Sequence, residues 1–246
     1  MKYAGKHVLI TGGAGEIGLV IAREFIREGA TLTVLDKTVS PDAERALHTM
    51  GARYVAMDVT QSESVQSVVR MLPEFDVAIA NAGVHRGARL LDITPENWQI
   101  QMDVNLTGVF LFLQAAALRM VARGKGGAIL VTGSWVQDVP SVDNAAYCAS
   151  KSAAAMLAKC AALELGEYQI RVNVVAPGIV NAGMARRQML VDETFARKAT
   201  HGLPLGRLQT AEQIAKAALF LCSDDAESIT GTTLLVDGGA SLFKYE

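Results

Sequence analysis

Residues 7–18 read His7-Val8-Leu9-Ile10-Thr11-Gly12-Gly13-Ala14-Gly15-Glu16-Ile17-Gly18. A short apolar run thus passes through a glycine-rich turn into a segment of helical period. Glycines at such a turn let the chain bend sharply and let its backbone approach a ligand closely. The helix that follows would present unpaired N–H groups and the positive end of its dipole, an arrangement suited to a pyrophosphate. The stretch therefore predicts a strand, a phosphate-binding loop and a helix, the opening unit of a dinucleotide-binding α/β fold.

Outward from it the same rhythm repeats. Apolar, β-branched runs at 7–10, 31–35, 54–56, 77–80, 128–131, 172–175 and 233–236 alternate with helix-length segments at 17–28, 41–50, 62–71, 103–123, 144–166 and 211–222. Strands separated by helices imply right-handed crossovers and a parallel sheet. Burial on both faces explains why runs such as VAIA and AILV are solidly apolar. Ser40 with Pro41 and Thr210 mark two helix starts. The expected fold is a doubly wound, Rossmann-like three-layer sandwich on a seven-stranded parallel sheet, with 1–246 forming a single domain. The polar segment 181–208 falls outside the rhythm and is expected to be a pair of short surface helices or a substrate lid.

Composition narrows the functional classes. With 23 Lys+Arg against 25 Asp+Glu the net charge is −2, too balanced for a nucleic-acid or acidic-membrane partner. Three scattered cysteines without a CxxC pair argue against a disulfide framework and a zinc site, and no His/Cys/Asp cluster suggests a metal. The apolar run 109–122 is interrupted by Gln114 and Arg119 and is too short to span a bilayer. A cytoplasmic protein is expected.

Asp36 ends the second strand, about 18 residues beyond Gly18, where a carboxylate can accept both hydroxyls of an adenosine ribose and repel the extra phosphate of NADP. Lys37 beside it could tolerate that phosphate, but the loop carries no Arg or Lys, so NAD is expected over NADP. Tyr147 and Lys151 stand four apart on one face of a helix, with Ser134 at the end of the preceding strand. A free phenol titrates near 10, so a Tyr base needs a fall of about two to three pH units, roughly 3 to 4 kcal/mol, which an adjacent ammonium could supply. Ligands of such sheets bind at the carboxyl ends of the strands, where these residues converge.

Taken together, TGGAGEIG at Thr11, Asp58-Val59, Asn81-Ala82-Gly83, Asn105 in VNLTG, Ser134 in VTGS, YCASK at Tyr147, RVNVVAPG ending at Gly178 and VDGG at Val236 resemble the main branch of the short-chain dehydrogenase/reductase family over essentially the whole chain. The resemblance implies that Tyr147 is the general acid/base and that Lys151 holds the nicotinamide ribose and lowers the Tyr147 pKa. It gives Ser134 the substrate oxygen and lets Asn105 anchor a proton-relaying water. It places Gly12, Gly15, Ile17 and Gly18 at the pyrophosphate, Asp58 and Val59 beside the adenine, and Asn81, Ala82 and Gly83 beneath the ribose. Pro177, Gly178, Ile179 and Val180 would lie along the carboxamide. It also implies a homotetramer built through the two long helices.

Two positions depart from the family pattern. The middle glycine of TGxxxGxG is Glu16, and the Thr that commonly follows Pro-Gly is Ala182, with Asn181 beside it. Trp135, Gln137, Asp138, Asp143, Asn144, His85, Arg86 and the 184–187 segment are expected to line the substrate pocket. Their polarity suits a hydroxylated substrate, whose hydroxyls need partners once desolvated. The expected reaction is NAD-dependent interconversion of a secondary alcohol and a ketone, the substrate a sugar, polyol or other small hydroxy compound. The alternatives are an NADPH-dependent 3-oxoacyl-[acyl-carrier-protein] reductase and a non-catalytic dinucleotide sensor or scaffold.

Overall fold

The computed structural model describes residues 1–201 and 203–242. Seven parallel strands lie in the order β3-β2-β1-β4-β5-β6-β7. They are β1 His7–Thr11, β2 Thr31–Asp36, β3 Arg53–Ala56, β4 Val77–Ala80, β5 Gly127–Thr132, β6 Ile170–Pro177 and β7 Thr233–Val236. The helices are α1 Glu16–Arg27, α2 Pro41–Thr49, α3 Ser62–Met71, α4 Pro95–Met102, α5 Gly108–Arg123, α6 Ala145–Leu165, α7 Gly183–Val191, α8 Glu193–His201 and α9 Ala211–Cys222. The expected strands and long helices fall within a few residues of these bounds, and 181–208 holds the two short helices α7 and α8, residue 202 lying outside the described residues.

Period-two alternation along each strand splits the core into two layers. Leu9, Ala78, Ile129 and Val172 face Val65, Val69, Phe112, Met120, Ala155 and Ala158 of α3, α5 and α6. Val8, Ile10, Ile79, Leu130 and Val175 face Ile21, Phe25, Ile214, Ala218 and Leu221 of α1 and α9. Caps fix the helix starts: Ser40 Oγ accepts from Ala43 N–H at 3.2 Å, and Thr210 and Gln213 bond each other reciprocally at the start of α9.

The chain leaves the sheet centre in both directions from β1 and β4, so the strand order reverses between them. Such a switch point opens a crevice at the carboxyl ends of the strands. The residues that follow β1, β2, β4, β5 and β6 all line up on that edge.

The segment 103–123 differs from its expected form. The helical run begins earlier, at Pro95 with Thr94 as its cap, and is interrupted by a π-helical turn at Asp103–Thr107. Taken whole, Pro95–Arg123 is 29 residues and apolar enough by length and composition to cross a membrane. In the fold, its Val109, Phe112, Leu113, Ala116 and Met120 are buried against the sheet, as the core helix of a sandwich requires.

Candidate active site

The loop after β1 is held to the ends of its neighbours. Thr11 Oγ1 accepts from the N–H groups of Asn81 (3.0 Å) and Ala82 (3.1 Å), and Asn81 Nδ2 donates to the Gly12 carbonyl at 3.1 Å. Gly12 has φ +64°, and a Cβ there would stand 2.7 Å from Ala82 Cα; a Cβ on Gly18 would stand 2.3 Å from the Gly12 carbonyl oxygen. Both positions therefore require glycine. Gly15 spends its N–H on the Gly12 carbonyl at 3.3 Å. No side chain caps α1, whose first backbone bond runs from Leu19 N–H to the Gly15 carbonyl. The first-turn N–H groups of Glu16, Ile17 and Gly18 thus have no acceptor among the described residues, and this donor set fits the pyrophosphate of a dinucleotide.

Asp36 stands at the end of β2, where Oδ2 accepts from Ala14 N–H (3.1 Å) and Oδ1 from Lys37 N–H (2.8 Å); burial raises its pKa, and the backbone bonds oppose the rise. The Lys37 ammonium turns away to pair with Asp58 Oδ2 at 2.8 Å. Val59 is buried under Gly108, so it supports the start of α5. Pro177 closes the pairing of β6 with β7, and Val180 is buried in an isolated bridge to Gln209.

The π turn brings Asn105 inward, fully buried. Its Oδ1 accepts from Val84 N–H at 2.8 Å, and its Nδ2 donates to the Val84 carbonyl (2.8 Å) and Ser150 Oγ (3.1 Å). The side chain clamps the strand that continues Asn81-Ala82-Gly83 against the helix carrying Tyr147, and π turns are frequent at such functional positions. With both amide hydrogens engaged, a water held by Asn105 would have to bind an oxygen. Asn105→Ala leaves the Val84 N–H and carbonyl without partners and is expected to lower unfolding stability by about 2–4 kcal/mol in urea titration.

Ser134, Tyr147 and Lys151 meet at the carboxyl end of β5. The Ser134 hydroxyl lies close enough to the phenol to draw its pKa down. Lys151 Nζ lies 5.8 Å from the Tyr147 ring centroid and donates to the Thr132 carbonyl at 2.8 Å. It passes beside Gly83, where a Cβ would sit 3.5 Å from Nζ, an ordinary van der Waals contact. Burial pushes Tyr147 up to about 12, against the pull of the Ser134 hydroxyl, and burial pushes Lys151 down to about 8.

Of the residues expected to line the pocket, His85 stands edge-on to the Tyr147 ring (centroids 5.0 Å apart, 81° between planes), and its Nε2 is hydrogen-bonded to Asn144 Oδ1. Ala88 N–H donates to the Asp143 carbonyl, closing the loop after β4 onto the one before α6. Trp135 is partly exposed at the start of a short 3₁₀ turn. Gln137 differs from expectation: it is buried, with Oε1 accepting from Ser134 N–H (3.3 Å) and Nε2 donating to Asp138 and Thr233, so it positions Ser134 from behind. Sequence reasoning missed Gln101, a fully buried amide that holds Arg86 N–H and carbonyl. Its position on α4 gave no signal because that helix went unread.

A family model described as Enoyl-(Acyl carrier protein) reductase matches residues 12–241. D-erythrulose reductase of Gallus gallus is 31% identical over 239 residues, covering 97% of each chain. The chain belongs to the short-chain dehydrogenase/reductase family. Among solved structures of such enzymes, a gluconate 5-dehydrogenase from Burkholderia cenocepacia in complex with NADP and tartrate superposes with TM-score 0.91 at 30% identity, over 99% of this chain and 98% of that one. An NAD+-bound xylitol dehydrogenase superposes with TM-score 0.91 at 31% identity, over 97% of this chain and 100% of that one. This short-chain dehydrogenase/reductase is thus an oxidoreductase acting on CH–OH groups with a nicotinamide dinucleotide.

Proposed function

We propose that the protein interconverts a secondary alcohol and a ketone with NAD(H), on a sugar, polyol or other small hydroxy compound. The observation that carries the cofactor choice is the rim at β2: the Asp36 carboxylate faces the loop, and Lys37, the cation beside it, is already paired with Asp58. A 2′-phosphate there would meet a carboxylate without a free ammonium to offset it. The polar groups around Tyr147 support a hydroxylated substrate, and the relatives named for erythrulose, gluconate and xylitol have such substrates in their names.

The bound nicotinamide supplies the hydride acceptor or donor. This chain's residues do the rest. Ser134, aimed by Gln137, holds the substrate oxygen against the phenol; Tyr147 takes the alcohol proton in oxidation and returns it in reduction; Lys151, fixed by Thr132, anchors the ribose side. A complete Ser134, Tyr147 and Lys151 set argues against a scaffold. The segment 181–208 is read as the substrate lid, and 1–246 as one domain. A homotetramer is supported by exposed Phe110 and Leu118 on α5 and Met156 and Leu163 on α6.

The test is a panel of sugars, polyols, hydroxy acids and acyl thioesters read by NAD(P)H absorbance, with cofactor binding by fluorescence. NADH is expected to bind at least about tenfold tighter than NADPH, and Asp36→Ala to lose that preference. The description of the matching family model keeps acyl reduction as the second reading; tighter NADPH binding together with turnover of acyl thioesters alone would establish it and end the first.

A further inference from the structure

The two departures from the family pattern meet in space. Glu16 Oε2 accepts from Gly183 N–H at 3.0 Å and pairs with Arg186 Nη2 at 2.8 Å, while Oε1 stands 3.8 Å from Arg187 Nη2. Gly183 is the first residue of α7, and its N-cap position is Ala182, whose backbone is extended as a cap requires but whose side chain has no acceptor. A carboxylate 167 residues away in sequence accepts from the N1 N–H of Gly183, another of the unpaired donors at this helix start. It also complements the positive end of the α7 dipole and the first-turn arginine.

From this we propose that Glu16 is a positioning residue that latches the α7–α8 segment to the cofactor loop through the Gly183 N–H and the Arg186 guanidinium. The inference rests on reading 181–208 as a lid over the crevice. Its carboxylate leans onto α7 and is offset by Arg186, so it does not face an incoming pyrophosphate as an unpaired anion. Glu16→Gly breaks the tether, whereas Ala182→Ser in the same chain can cap α7 locally and leaves the link to α1 broken.

The first readout is trypsin cleavage after Arg186 or Arg187 in the protein without cofactor, which reports the latch whether or not the functional reading holds. Glu16→Gly is expected to raise the cleavage rate about fivefold, Glu16→Gln to raise it less because it keeps the bond to Gly183 N–H, and Glu16→Gly/Ala182→Ser to stay near the Glu16→Gly rate because a local cap does not tie α7 to α1. Ala182→Ser alone changes little. The second readout is kinetic: Glu16→Gly raises KM for the cofactor severalfold, and the double variant does not reverse this. Equal cleavage rates in Glu16→Gly and the unaltered protein, a double variant returned to the starting rate, or tighter cofactor binding on Glu16→Gly each overturn the latch. Normal latching in a protein that binds neither NADH nor NADPH overturns the functional reading instead.

Discussion

Tyr147→Phe is expected to lower turnover by about a thousandfold or more while leaving NADH affinity within about twofold. The substitution removes one oxygen. The ring keeps its edge-on contact with His85, and Ser134 keeps its backbone bond to Gln137, so the pocket persists without its acid/base. Stopped-flow rates and fluorescence titration on the same preparation separate the two effects, and a variant turning over within tenfold of the unaltered enzyme would remove Tyr147 from the chemistry. The direction of the pH dependence also follows. With burial holding the phenol near 12 in the free enzyme, the phenolate needed to accept the alcohol proton is scarce at neutral pH. The kcat/KM for oxidation should therefore climb with pH through the neutral and alkaline range, while reduction, which needs the neutral phenol, holds level there.

Lys151→Met is expected to abolish turnover and yet raise stability at pH 7 by about 1–2 kcal/mol. Lys151 is 3% exposed, and burial brings its pKa from 10.5 to about 8, which corresponds to roughly 3 kcal/mol against the charged folded form. Part of that is offset, because the Met variant leaves the Thr132 carbonyl without the ammonium at 2.8 Å. The pH window fixes the sign. Below about 8, Lys151 is protonated in both folded and unfolded chains and the full burial cost is present. Between about 8 and 10.5 the folded chain has released a proton that the unfolded chain still holds, so the stability of the unaltered protein rises with pH. Above 10.5 this dependence ends. Denaturant titrations of both proteins at pH 7 and pH 10 should show the advantage of the Met variant shrinking, and a Met variant less stable at pH 7 would refute the buried-charge account.

Local chemistry made much of the site readable. The strands announce themselves because burial on both faces demands unbroken apolar runs, as in Val77–Ala80. The four-residue spacing of Tyr147 and Lys151 is helical geometry, and Gly12 and Gly18 carry their backbone requirements in their identity. Ser40 and Thr210 cap helices within three residues of themselves, so their roles never left the sequence neighbourhood. The start of α4 went unread, although Thr94 and Pro95 cap it with the same local chemistry.

The sequence by itself determined the order of strands and helices, the phosphate loop and the catalytic spacing, because each depends on interactions among residues a few positions apart. Tertiary structure decided what depends on distant partners and on dielectric surroundings. The π turn that buries Asn105 against Val84 needs the α6 hydroxyl of Ser150 to close it. Gln137 turns behind Ser134 because Thr233, on another strand, accepts its amide. The pKa values of Tyr147 and Lys151 moved opposite ways for one cause, the burial that only the folded chain creates. Glu16 stood in the sequence only as a departure from the family pattern; the fold carries Gly183 and Arg186 to its carboxylate and so ties α1 to α7.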